Sequence, residues 1–390
     1  MKIAKVLCLV IAVFAGVVSC KNRNMYRRAS SDSLTRLWIE PKKDGVSGAE
    51  LFDSLRFVQL ETTPESMFDY VRCLKLLNGK FYLLDRMGTK LLCFDRDGKF
   101  LKKFEARGNG PDEYFMLCFL AADPVSKKIL VADDVVRKIF IFDELLNLEH
   151  VVKVDFAPKQ VIAFRDDMIL RYENDNKEQY QDSLLRDYDL HWIDLKGDVV
   201  QGMIRNRTPK YGLSASGYLD NGDILYYPTL GDTVYRVAVS ERTVSPAYII
   251  ESGDEDVKLL NDEQRREMDP NAELPEYEKR NYFFPVEFFN VGSHILLRSG
   301  MDDMYLYSKN SGNAIRYDKT LENMSGDRTF DYLTSIIYAC DGDWCYGPHH
   351  AITLQYMAKD YGFSGKYKAM IDSMETDANL FLACFKVKDF

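Results

Sequence analysis

The sequence predicts an all-β chain folded as a six-bladed β-propeller, closed by N- and C-terminal strands and carrying minor helical insertions. Three observations predict it. Short strand-like runs follow one another from about Leu51 onward, separated by turn residues. They group into six meanders over about 340 residues, with Phe94-Asp95, Phe142-Asp143 and Ile193-Asp194 spaced 48 and 51 residues apart. A strand without a meander of its own stands near each end. A repeat of this period, each unit a small antiparallel sheet, is the mark of a propeller. Each blade has two apolar faces that only neighbouring blades can cover, so the ring must close to bury them. A β-sandwich leaves the spacing unexplained.

The composition supports a globular fold: 390 residues, 46% hydrophobic and 28% charged. A formal charge of −9 argues against nucleic acid, whose phosphates require a basic face.

The first element is a leader. Lys2 and Lys5 precede the uncharged run Val6 to Val18, which is shorter than the ~20 residues a membrane-spanning helix needs. A cleaved signal peptide over residues 1–19 is expected. Val17-Val18-Ser19-Cys20 resembles the lipobox of bacterial lipoproteins, which implies acylation of Cys20 and a membrane partner held through a lipid anchor. Lys21 after Cys20 favours the outer membrane. Residues 20–50 are expected to form a lipidated tether, and 51–390 a single propeller domain.

The first meander is Lys80 to Asp85, Lys90 to Asp95 and Lys99 to Phe104, with Arg96-Asp97-Gly98 as a turn. The second is Lys128 to Asp133, Lys138 to Asp143 and Leu148 to Val154. The third is Met168 to Arg171, Tyr188 to Asp194 and Val199 to Ile204. Looser copies follow at Asp223 to Tyr227 with Asp232 to Val237, and at His294 to Arg298 with Met304 to Tyr307. The last pairs Ser335 to Ala339 with Ala351 to Tyr356. Val257 to Met268 and Lys366 to Glu375 are helical, the former opening a polar insertion that ends near Phe284. Leu55 to Leu60 and Leu380 to Val387 are expected to pair in one blade and latch the ring.

The mature chain resembles the six-bladed β-propeller lipoproteins of Gram-negative gut anaerobes, a group distantly like NHL-repeat propellers. The resemblance rests on Phe52 to Glu65 with its Leu-Glu-Thr-Thr run, on Gly108-Asn-Gly-Pro-Asp-Glu-Tyr114 (Asp112 standing where that group has Gly), on Asp232 to Val237 and on Asn379 to Val387. It implies the fold and export, and it brings no catalytic residues.

Cys73, Cys93, Cys118 and Cys384 lie in apolar runs and read as small hydrophobes. Cys340 and Cys345 flank Asp341-Gly342, a turn signal that would set the two thiols opposite each other, bonded or free. No Cys/His zinc spacing occurs, and neither a metal nor a cofactor is expected. Asp85, Asp133 and Asp134 end what read as the innermost strands of the first two repeats, where propeller lactonases and lyases hold a divalent metal. The later repeats offer Arg171 and Tyr227 there instead of carboxylates. The expected ligand contacts are Trp344, Tyr346, His349 and His350 beside Asp341 and Asp343, with Arg107 from the adjoining blade. Aromatic platforms with a few polar groups suit a glycan, a peptide or an envelope protein. The alternative, and the commoner role for aromatic residues, is that they fill the sixth blade. The residues around Arg107, Gly108 to Tyr114, read as an inter-blade corner in which Gly108 or Gly110 supplies a positive φ. Three function classes stand: a non-catalytic binding or scaffold propeller, a metal-dependent, lactonase-like hydrolase or lyase with its site in the central channel, and a structural subunit of an outer-membrane assembly.

Overall fold

The computed structural model describes residues 34–39, 46–172, 180–205, 215–219, 221–228, 231–252, 259–267, 285–299, 303–318 and 328–390. The leader, Cys20 and most of the 257–284 insertion lie outside the described residues.

Strand β1 (Thr35–Ile39) and the helical turn α1 (Gly48–Leu51) precede β2 (Phe52–Gln59). The first blade is β3 to β6 (Val71–Leu77, Lys80–Asp85, Leu91–Asp95, Phe100–Phe104), and the second is β7 to β10 (Phe119–Asp123, Lys128–Asp133, Lys138–Phe142, Leu148–Lys153). The third blade comprises β11 and β12 (Val161–Arg165, Met168–Tyr172), then α2 (Ser183–Asp187), β13 (Tyr188–Asp194) and β14 (Val199–Arg205). The fourth is β15 to β18 (Ala215–Tyr218, Ile224–Tyr227, Thr233–Ala238, Thr243–Ser252), followed by α3 (Asp262–Glu267). The fifth is β19 to β22 (Pro285–Val291, His294–Ser299, Asp303–Ser308, Ala314–Asp318). The closing blade comes after helix α4 (Arg328–Thr334). It contains β23 (Ala339–Asp341), β24 (Trp344–His349) and, after α5 (Ala351–Asp360) and α6 (Gly365–Asp372), β25 (Phe381–Val387).

The latch forms as expected. β2 pairs antiparallel with β25, Phe57 opposite Ala383 and Gln59 opposite Phe381, so the closing blade takes its outer strand from the start of the chain. Buried side chains then separate into one cluster for each blade interface. Tyr82, Leu91 and Cys93 of the first blade meet Ile129, Val131 and Phe140 of the second. Phe81 and Leu83 on the opposite face meet Tyr346 and Leu382 of the closing blade. The remaining interfaces are filled in the same way. Each large apolar side chain buried here contributes about 2 kcal/mol. Middle strands such as Lys128–Asp133 are covered on both sides and read as continuous apolar runs, whereas the outer strand Leu148–Lys153 is partly exposed.

The structure differs from the sequence reading in four ways. Each blade has four strands of its own, the fourth gaining β1 as a fifth. The strand missing from each of the first five meanders is the innermost, and the outer strand is missing too from the fourth and fifth. In two of those innermost strands small residues sit near the axis, Ala121 and Ala122 in one and Ser216 and Gly217 in the other, so their apolar signal is weak. Val161–Arg165 and Pro285–Val291 are apolar but lie outside the repeated run-and-turn pattern. Asp85 and Asp133 therefore end second strands. Ala351 to Tyr356 is helix, because Ala351, Leu354 and Ala358 bury one helical stripe. Of Ser335 to Ala339 only Ala339 is in a strand. Ordered structure also begins ahead of residue 51: β1 adds in parallel outside β18, burying Leu37, so the expected tether over residues 20–50 contains part of the fold.

Candidate ligand-binding face

Antiparallel order within each blade, repeated around a ring, sorts the connections into two faces. Turns between first and second strands, and between third and fourth, open on one face. Turns between second and third strands open on the other, together with the links from blade to blade.

On this second face, three neighbouring blades present a continuous arc. Residues 60–70 link β2 to β3. Asn379 at the head of β25 holds that link: its Nδ2 donates to the carbonyls of Glu61 (2.7 Å) and Ser66 (3.1 Å), and its Oδ1 accepts from the Phe68 N–H (3.2 Å). Tyr70 emerges half-exposed, its ring 4.8 Å from that of His350. The Arg86 guanidinium lies 5.7 Å from the Tyr70 ring, and its backbone N–H donates to the Tyr70 carbonyl at 2.8 Å.

The next stretch is set by two carboxylates. Asp85 accepts from the backbone of Thr89 (2.6 Å) and Lys90 (2.9 Å) and from the Thr89 hydroxyl, fixing the turn that exposes Met87. Gly88 in that turn has φ +65°, and a Cβ there would strike the Leu117 carbonyl of the following link. Asp133 accepts four backbone N–H groups: Phe115 (2.6 Å), Met116 (2.8 Å), Val135 (2.9 Å) and Val136 (3.1 Å). Phe115 and Val135 are thereby held facing solvent. Both carboxylates are occupied by backbone donors, which leaves them poor metal ligands. Among the described residues no three His, Cys, Asp or Glu side chains are grouped to hold a metal ion.

Of the thirteen large apolar side chains exposed among the described residues, Met67, Tyr70, Met87, Phe115 and Val135 stand on this face. Ile352 and Tyr356 follow on the helix that begins after His350. Single exposed apolar residues are ordinary on a protein surface; a concentration of them is a mark of interaction.

The structure brings Arg107 and His350 to this face and sends the other expected contacts elsewhere. Arg107 is exposed on the link between the first and second blades. His350 is partly covered: burial lowers its imidazole pKa against the opposing pull of Asp69, and its Nε2 has no hydrogen-bond partner among the described residues. Trp344 lies at the other end of β24, a strand of six residues, so about 17 Å of strand separates it from His349. There Arg56 and Lys386 cover its ring, at 4.2 and 5.0 Å. Tyr346 is buried against Phe81 between blades. His349 is buried as well, its Nε2 donating to the Leu333 carbonyl at 3.1 Å. The corner reading of residues 108–114 gains support from Lys138, whose ammonium donates to the carbonyls of Gly110 and Glu113, both at 2.7 Å. Neither Gly108 nor Gly110 has a positive φ; the Glu113 carboxylate packs where a Cβ at Gly108 would sit. Sequence reasoning does not single out Tyr70, Met87 or Phe115. Their signal is an apolar residue inside a segment that otherwise reads as a turn.

Several solved structures are similar to this chain. A protein from Bacteroides fragilis described as exported superposes with a TM-score of 0.69 at 17% identity, covering 91% of this chain and 100% of its own. A DUF4221 member from Bacteroides vulgatus has a TM-score of 0.48 at 11% identity, covering 87% and 98%. Virginiamycin B lyase from Staphylococcus aureus has a TM-score of 0.42 at 9% identity, covering 85% and 98%. No curated protein matches the chain. The family model described as Domain of unknown function (DUF4934) matches residues 40–386, nearly the whole propeller, and the chain belongs to that family.

Proposed function

We propose that this protein is an exported, lipid-anchored binding or scaffold propeller of the outer membrane. Its ligand, a glycan, a peptide or an envelope protein, is taken on the face built by the first, second and closing blades. The observation that carries the reading is the arc of exposed Met67, Tyr70, Met87, Phe115 and Val135, flanked by Arg86, Arg107 and His350. Aromatic and methionine side chains bind well when a rigid scaffold presents them, and the Asp85 and Asp133 turns supply that rigidity. Export is supported by the short apolar leader and by the description of the similar Bacteroides fragilis protein as exported, and anchoring by the position of Cys20 at the end of that leader.

Two experiments test this. Cys20→Ala should release the protein from membranes or leave its leader uncleaved; unchanged membrane partition at high salt would remove the anchor. The binding face is tested by pull-down from solubilised outer membrane alongside a glycan array. Tyr70→Ala combined with Phe115→Ala should lower captured ligand at least tenfold, the loss of about 1.4 kcal/mol or more. Leu145→Ala, on the opposite face, should leave capture unchanged. Equal capture by all three proteins would overturn the assignment.

A further inference from the structure

The innermost hairpin of the closing blade holds two thiols in contact. β23 and β24 are joined through Gly342 and Asp343, with Gly342 at φ +55°. The register pairs Asp341 with Trp344, then Cys340 with Cys345, then Ala339 with Tyr346. In a two-residue hairpin the rung beside the turn exchanges hydrogen bonds, so the next rung is the close, non-hydrogen-bonded kind, with Cα atoms about 4.5 Å apart. That separation lies within the span a disulfide bridges. The two Sγ atoms are 3.6 Å apart. The other described thiols face different partners: Cys73 the Leu120 carbonyl, Cys93 the Tyr82 hydroxyl, Cys118 the Asp134 carboxylate and Cys384 the Leu382 carbonyl.

We propose that Cys340 and Cys345 are oxidised to an intramolecular disulfide in the exported protein, where it serves as a covalent rung in the innermost hairpin of the closing blade. The oxidising compartment rests on the export reading above; the geometry does not. β23 has only three residues, so the hairpin has few backbone rungs of its own, and the cross-link stabilises it by restricting the unfolded chain. The chemistry balances with a disulfide-bearing oxidant. One cysteine thiolate attacks the oxidant and expels one of its thiols, and the second cysteine thiolate then displaces the other. Two electrons and two protons leave the protein, and the oxidant departs as two thiols. Burial raises the Cys340 pKa, and the hydrogen bond to Cys345 raises it further, so attack is slow once the hairpin is packed. The bond forms as the chain folds, and afterwards it resists reductant.

The test has two arms. Full-length reduced chain is refolded from denaturant in a buffer of oxidised and reduced glutathione, then denatured and alkylated. The expected product carries two fewer alkyl groups than reduced protein alkylated in the same way, with Cys340 and Cys345 protected and joined in one peptide. It should melt a few degrees above the reduced form, and Cys340→Ser, which leaves the more buried Cys345 in place, should melt with the reduced form whether or not reductant is present. Free thiols at both positions after refolding, or linkage to another cysteine, would overturn the proposal on geometry. In the second arm, protein is trapped with alkylating agent directly from envelope fractions. Free thiols there, after bonding in the first arm, would overturn the proposal and place the fault in the export reading.

Discussion

The last residue of the second strand differs between the first two blades and the closing blade, and the difference arises from what each strand must meet. In the first two blades that residue is Asp85 or Asp133, and it leads into a short turn whose backbone N–H groups need an acceptor. A carboxylate offers acceptor sites alone and satisfies up to four donors. In the closing blade the residue is His349, and it leads into an insertion carrying α5 and α6. Its neighbour is now the Leu333 carbonyl in the last turn of α4, one of the acceptors a helix end leaves without an intrahelical partner. The position therefore requires a donor. The same place in the blade takes opposite hydrogen-bonding chemistry because a helix end has replaced a turn.

The closing blade also differs in being assembled from three separate stretches of chain, and the largest expected effect tests that. Removing residues from Asn379 onward deletes β25, the strand on which β2 and β24 both pair. It exposes the interfaces with the first and fifth blades and opens two sheet edges. Complete loss of soluble, cooperatively melting protein is expected from expression and circular dichroism. A soluble truncation with an unshifted melting temperature would refute ring closure through this blade.

A smaller effect probes the acceptor side of the comparison. Asp133→Ala leaves four backbone N–H groups of two segments without their partner in a site closed to solvent, at a cost of about 4 kcal/mol in urea unfolding. Asp133→Asn keeps one acceptor oxygen and should recover part of that. In the parent one oxygen serves Phe115 and Met116 while the other serves Val135 and Val136. Equal losses for the two variants would mean that the charge, and not the count of acceptors, is what the site needs.

Much of this fold is legible in the sequence, and the illegible parts share a cause. Lys128 to Asp133 and Lys138 to Phe142 declare themselves because middle strands are apolar along their whole length. Leu380 to Val387 does so for the same reason, whereas the outer latch strand, Leu55 to Leu60, is half exposed and shows through Leu55, Phe57 and Val58. Phe119 to Asp123 and Ala215 to Tyr218 do not, since Ala121, Ala122, Ser216 and Gly217 leave them little apolar signal. The candidate face is half legible. Arg107 and His350 stand on it, whereas Trp344 groups with the histidines only through proximity in the chain, which on an extended strand is distance in space. Tyr70 and Phe115 escape because what gathers them is the alignment of links from three blades, and that alignment exists only once the ring has closed.

The last test concerns the donor side, and it is read through pH. His349 is buried, and burial pushes its imidazole down to about 4, the hydrogen bond to the Leu333 carbonyl opposing this and His350 adding slightly to it. An unfolded imidazole takes its proton near pH 6.5. Between those values the unfolded chain binds a proton that the folded chain refuses, so stability falls as pH is lowered from about 6.5 and levels off near 4. The group accounts for about 2 kcal/mol of that loss at pH 5 and about 3 kcal/mol once the fall is complete. Carboxylates and His350 titrate over overlapping ranges, so the informative quantity is the difference between the parent and His349→Gln. Glutamine keeps an N–H to offer the Leu333 carbonyl and cannot be protonated in this range. The variant should lose stability at neutral pH only through imperfect packing against Phe381, whose ring the imidazole stacks on at 5.7 Å, and the deficit should shrink steadily towards pH 4. A deficit of constant size across that interval would show that the imidazole takes up its proton in the folded state, and the donor side of the comparison would fail with it.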